Sequence, residues 1–185
     1  MPPIRHTPME RFFVITGGPG AGKSSLIEAL ATCGLGFMPE AGRAIIQDQQ
    51  AIGGNALPWG DRQTFAELML GWELRSYREA QRRDGTVVFD RGIPDVIGYL
   101  RVCGLPVPAH IQRAAEVFRY HRRVFIAPPW PGIYRQDAER RQSAEVARAT
   151  HDMMLRVYTD LGYDPVPLPL VSIADRARFV LGRIG

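Results

Sequence analysis

The chain has 185 residues, 45% hydrophobic and 23% charged, with a net charge of +4. That is room for one domain spanning 1–185 with a real core, in an ordinary globular composition. No run approaches the roughly 18 apolar residues of a membrane-crossing helix, and 1–10 lacks the apolar stretch of a leader, so a soluble cytoplasmic protein with no membrane partner is expected.

In chain order, residues 11–16 predict a buried strand around Phe12, Phe13, Val14 and Ile15. A glycine-rich loop follows, then a helix over 23–32 with Leu26, Ile27 and Leu30 on one face and Gly34 closing it. Residues 36–38 read as a short strand, and Pro39 starts a helix running to about Gln50. Asp61 caps a long helix with Phe65, Leu68, Met69, Trp72 and Tyr77 on its inner side, ended by Gly85. The run Val87, Val88, Phe89 predicts a strand closing on Asp90. Helices are expected over 94–103 and 108–121, a strand over 123–127, a long polar helix over 136–161, a proline-marked strand over 163–168 and a closing helix over 172–183. Alternating strands and helices imply a single three-layer α/β domain, with a parallel sheet of about five strands covered on both faces. Cys33 and Cys103 are too few for a disulfide framework or a metal cage, and read as small reduced core residues.

Residues Gly17, Gly18, Pro19, Gly20, Ala21, Gly22, Lys23 and Ser24 match the pattern G-x-x-x-x-G-K-[ST], with an apolar strand before and an amphipathic helix after. Glycines let backbone N–H groups turn inward around an anion. The helix start, through Ser25, adds a partial positive charge. Lys23 is the only lysine of the chain, a compact ammonium on a flexible stem suited to the β- and γ-phosphates of ATP. The Ser24 hydroxyl is a ligand for Mg2+, which takes oxygen donors.

Asp90, at the end of an apolar strand, is a second candidate for the metal, because ligands of parallel sheets gather at the carboxyl ends of strands. Its other reading is a helix cap or a surface aspartate. Arg91 stands where a hydrolytic ATPase of the AAA type has a glutamate to activate water, which argues for holding an anionic or polar acceptor. A guanine-specific switch is excluded on inventory: Asn55 is the only asparagine, and the only lysine belongs to the loop.

The segment Pro39-Glu40-Ala41-Gly42-Arg43, with the loop before it and Asp90-Arg91 after it, resembles a family of AAA-like ATPases and kinases. That family is similar to the kinase domain of nicotinamide riboside kinases and to thymidylate and deoxynucleoside kinases. The resemblance covers nearly the whole chain and implies that Glu40 approaches the acceptor hydroxyl or the metal, and Arg91 the acceptor. Gly92-Ile93-Pro94 departs from the nucleoside kinase pattern. Glu40 also has a bland reading, as an acid in a first helical turn worth about 0.3–1 kcal/mol against the helix dipole, with Arg43 one turn on as a pairing partner.

Pro128 to Gly132 forms a stiff, then flexible hinge ahead of Arg135, Arg140 and Arg141, and a lid over 128–145 is expected to bring arginines to the migrating phosphoryl group. Its other reading is a solvated helix face neutralised by Asp137, Glu139 and Glu145. Trp59, beside Pro58, reads either as a stacking surface for an acceptor ring or as local packing. By the resemblance, 170–178 borders the adenine.

The leading expectation is a kinase that binds ATP and Mg2+ and phosphorylates a small-molecule acceptor, nucleoside-like or otherwise. Lys23, Asp90, Glu40, Arg91, Arg135 and Arg140 carry the chemistry in that reading. The alternative is an ATP-binding or slow ATPase switch signalling to a partner protein. Nucleic acid is not the expected partner, since Arg113, Arg119, Arg122 and Arg123 read as snorkelling side chains on a helix face.

Overall fold

The computed structural model describes residues 7–130 and 144–184. All six residues of β1, Phe12–Gly17, are buried, because strands pair with it on both sides and helices cover both of its faces. β1 pairs in parallel with β3 (Val87–Asp90), placing Ile15 beside Asp90, and with β4 (Arg123–Ala127), placing Gly17 beside Ala127. β2 (Gly36–Met38) adds to the outer side of β3 and β5 (Asp164–Pro167) to that of β4, giving the all-parallel order β2-β3-β1-β4-β5. β5 tolerates Pro165 and Pro167 because it is an edge strand.

The pleat sorts the strand side chains into two cores. Phe12, Val14, Val87 and Phe89 face one side, under α4 (Arg62–Gln81), α5 (Ile93–Val102), α6 (Ala109–Val117) and α7 (Ala144–Asp160). Phe13, Ile15, Val88 and Phe125 face the other, under α2 (Lys23–Thr32) and α8 (Ile173–Ile184). A smaller core joins α3 (Ala41–Ile52) to α4 through Ala41, Ile45 and Phe65. Asp61 caps α4 as expected, its carboxylate accepting from Thr64 N at 3.0 Å. Among the described residues no helix is long and apolar enough to cross a membrane.

Several expectations shift. A short turn of helix, α1 (Pro8–Arg11), precedes β1. Pro39 stands outside α3, and Glu40 is its N-cap with extended backbone, so Glu40 is not an acid of the first turn. Leu68 is 39% exposed, so the inner stripe of α4 runs instead through Phe65, Leu70 and Tyr77. Gly85, at φ 74°, belongs to the turn into β3, after α4 has ended at Gln81. α6 stops at Val117, because the chain must straighten for His121 N to donate to Phe12 O at 2.7 Å. Cys33 is exposed and Cys103 half-buried, so neither is a core residue. Of the helix read over 136–161, the described part is α7, and 136–143 lie outside the described residues.

Candidate active site

The loop after β1 lies at the carboxyl edge of the central strand, between the ends of β3 and β4, where the chain has switched sides of the sheet. Gly22 caps α2 in the left-handed region, φ 74° and ψ 23°, which a glycine adopts without strain. Gly18 is required by a close approach: a Cβ there would stand 2.5 Å from the backbone oxygen of Ala147 in α7. Lys23 opens α2, is 4% exposed, and donates from Nζ to Gly18 O at 2.8 Å, so the ammonium is folded into the loop. Ser24 and Ser25 follow on the exposed first turn of α2, at the positive end of its dipole. Ala21 is buried in the core beneath the loop.

Asp90 ends β3 beside Ile15 and is 6% exposed, with Oδ1 buried and lacking a hydrogen-bond partner among the described residues. Burial lifts its carboxyl above the ordinary range; Lys23 is the strongest opposing influence, and Glu40 and Asp95 push in the same direction as burial. An orphaned buried carboxylate oxygen at a strand end fits a hard cation. Among the described residues no group of three or more His, Cys, Asp or Glu is placed to hold a metal, so a cation here would lean on phosphate oxygens and water as well.

Arg91 sits at φ 74°, a left-handed backbone unusual for a residue with a side chain. Its guanidinium turns back over the loop, bonding Gly17 O at 3.0 Å, Glu40 Oε1 at 3.2 Å and Asp95 Oδ1 at 3.1 Å. Burial disfavours its charge, but Glu40, Asp95 and Asp90 more than offset this and raise its pKa. Glu40 thus meets Arg91 across the site.

Two residues that the structure ties to the loop were not singled out in the sequence. Asp95, 6% exposed near the start of α5, accepts from Arg91, from Gly92 N at 3.0 Å, from Tyr158 OH on α7 at 2.6 Å, and from the Thr16 hydroxyl in a short bond. Arg176 of α8 is 1% exposed and donates to Ala21 O at 2.9 Å and Pro169 O at 2.8 Å, with its guanidinium 4.8 Å from the centre of the Trp130 ring. It ties the segment read as the adenine border to the phosphate loop. The basic cluster is tied up internally: Arg113 with Glu116, Arg122 with Asp164, Arg119 over Tyr163 and Arg123 on Arg183 O. Arg135, Arg140 and Arg141, with residues 131–143 of the lid expected over 128–145, lie outside the described residues.

Next to the loop opens a cavity of about 1060 Å³, walled by Pro19, Glu40, Arg91 and Asp95 at one end and by Phe65, Met69, Tyr99 and the exposed Trp59 further out. Pockets of roughly 300–1,000 Å³ suit small molecules. Asp90 is not among the residues that wall it.

A glycine loop with a buried lysine after the central strand, and an aspartate ending the neighbouring strand, define the site of a P-loop NTPase fold. A family model described as AAA domain matches residues 12–176, and the chain belongs to that family. No curated protein matches it. Its fold is similar to that of thymidylate kinase from Ehrlichia chaffeensis, with a TM-score of 0.63 at 13% identity over 96% of this chain and 99% of that one. It is also similar to NadR in complex with NR, with a TM-score of 0.67 at 17% identity over 96% of this chain but 51% of NadR, so the chain spans about half of that protein. Deoxyadenosine kinase from M. mycoides with bound dATP matches at a TM-score of 0.62 and 13% identity over 94% of this chain and 98% of that one.

Proposed function

We propose that the protein is a small-molecule kinase, transferring the γ-phosphoryl group of ATP to an acceptor in the cavity beside the loop. The observation that carries this reading is that cavity: it joins the phosphate loop at Pro19 and, at about 1060 Å³, is large enough to hold a second molecule. A switch that only binds ATP needs no such space. Kinase names among the similar folds, including two nucleoside or nucleotide kinases, support the same class.

The loop amides and Lys23 hold the β- and γ-phosphates, Lys23 exchanging its bond to Gly18 O for phosphate oxygens. Ser24 and the orphaned oxygen of Asp90 would hold Mg2+, which supplies charge neutralisation when bound. Glu40 walls the cavity and Asp90 does not, so we assign the acceptor proton to Glu40 and the metal to Asp90. The acceptor oxygen bonds to the γ-phosphorus, the bond from that phosphorus to the bridging oxygen breaks, ADP leaves, and the proton passes to Glu40. Arg91, pinned by Gly17 O and Asp95, orients Glu40 and the acceptor.

Screening nucleosides, nucleotides and cofactor precursors for ADP release tests this. Stimulation well above the acceptor-free rate by one chemical class is expected, and equal slow turnover with every compound overturns it.

A further inference from the structure

α4 places residues along the cavity at nearly helical spacing: Arg62, Phe65, Met69 and Glu73 all contribute to its wall. The first three suit an apolar wall with a charged rim. Glu73 does not. It is 4% exposed, and among the described residues it makes no hydrogen bond or ion pair. Leaving a polar group in such a place without a partner is costly, so a buried glutamate there needs a reason.

We propose that Glu73 reads the acceptor: its carboxylic group hydrogen-bonds to the polar edge of a flat, uncharged ring lying against the cavity wall that Phe65, Met69 and Tyr99 form. The acceptor class is then a nucleoside or a similar hydroxyl-bearing compound with a neutral heteroaromatic ring. This deepens the kinase reading and rests on it.

Three observations converge. The wall that carries Glu73 also carries aromatic and thioether side chains, with Phe65 and Tyr99 5.3 Å apart edge to face, and such a wall suits a ring. The charges that act on Glu73 are mostly negative: Asp95, Asp90 and Glu40, opposed by Arg91, which Glu40 and Asp95 already engage. An anionic group at this depth would be repelled, so a phosphate on the distal part of the acceptor is disfavoured. Burial, then Asp95 and Asp90, holds the Glu73 carboxyl well above the ordinary carboxylate range, so the group can donate as well as accept. Tyr120 of the core also feels it, and Arg43, Arg62 and Tyr99 are the other titratable groups of the cavity wall from α3, α4 and α5.

The test uses the full chain with a panel of nucleosides and the matching nucleoside monophosphates, measuring binding by calorimetry and ADP release in parallel. Wild-type protein should bind at least one nucleoside roughly tenfold or more tightly than its monophosphate. E73M, similar in length but without polar atoms, should lose roughly tenfold or more of that affinity, while E73Q, which keeps a donor and an acceptor, stays within about threefold. ATP binding, which uses the loop, should be unchanged in both variants. Nucleoside affinity that E73M leaves intact, or a wild-type preference for monophosphates, overturns the assignment, the second without needing a variant that folds. Nucleosides that bind through Glu73 yet release no ADP would overturn the kinase reading alone. Turnover with an anionic acceptor and no nucleoside binding would overturn the Glu73 reading alone.

Discussion

Replacing Asp95 by asparagine removes one charge and changes the shape hardly at all, yet the structure predicts a large loss of stability. All four bonds to this carboxylate come from donors: Thr16 and Arg91 on Oδ1, Gly92 N and Tyr158 OH on Oδ2. A carboxylate accepts on both oxygens, whereas an amide presents an NH2 on one side. The Thr16 and Tyr158 hydroxyls can turn to accept from it. The Arg91 guanidinium and the Gly92 N–H cannot, so either orientation sets one donor against another. Losing a charge-assisted bond costs about 1.5–3 kcal/mol, and a stranded buried donor about 1–3 more. With part of each loss relaxed, about 3 kcal/mol is expected. A domain of this size shifts Tm by roughly 2–4 °C per kcal/mol, so Asp95→Asn should melt about 6–12 °C lower in calorimetry or a thermal-shift assay. Tyr158→Phe and Thr16→Val, which each remove one neutral donor, should each cost about 0.5–1.5 kcal/mol. If Asp95→Asn lies within about 0.5 kcal/mol of wild type, the range of indifferent surface substitutions, the hub described here is not one.

Other outcomes follow from single contacts. Lys23→Ala forfeits the bond to Gly18 O and the ammonium that opposes burial at Asp90 in the free protein, and, with ATP, two charge-assisted phosphate bonds of at least about 1.5 kcal/mol each. Titration calorimetry should show ATP affinity down about 100-fold or more. Gly18→Ala drives a methyl into the backbone of Ala147; repacking of this kind costs about 1–3 kcal/mol, to be read by denaturant titration. Glu73→Gln should raise stability at neutral pH and much less near pH 5. The wild-type carboxyl is held above its ordinary value in the folded state, so the folded protein binds more protons than the unfolded chain, and stability falls as pH rises from the ordinary carboxylate range toward that raised value. Parallel melting curves for both proteins across pH check the sign.

The phosphate loop was legible because everything that makes it is local: a continuous apolar strand, glycines at fixed offsets and a lysine opening a helix. The parallel sheet followed from the alternation of elements. The site around the loop was less legible, since its partners are distant in sequence. Asp95 meets Thr16 and Tyr158, which lie 79 and 63 positions away. The local hint was present: a proline at the start of a helix with an aspartate just after it reads as capping, and capping alone does not reveal that the same carboxylate also collects a guanidinium and two hydroxyls. Glu73 carried a clearer signal. Phe65, Met69, Glu73 and Tyr77 repeat every four residues, so a glutamate occupied the apolar stripe, while Leu68, assigned to that stripe for its hydrophobicity, faces solvent. Period should have outweighed residue type there.

The same contacts explain how α7 bears on the chemistry. Ala147, near its start, abuts Gly18 of the loop, and Tyr158, near its end, holds Asp95, which holds Arg91, which holds Gly17 O. The loop is therefore gripped from two points of one helix about three turns apart, by a direct steric contact and by a chain of charge-assisted bonds. A loop so gripped is shaped before any phosphate arrives, and a preorganised anion site avoids the ordering cost that a mobile one would meet on binding. Arg91 completes the argument: its strained backbone persists because three acceptors on three different elements over-determine where its guanidinium goes. The strain thus marks the point where helix, loop and cavity are joined.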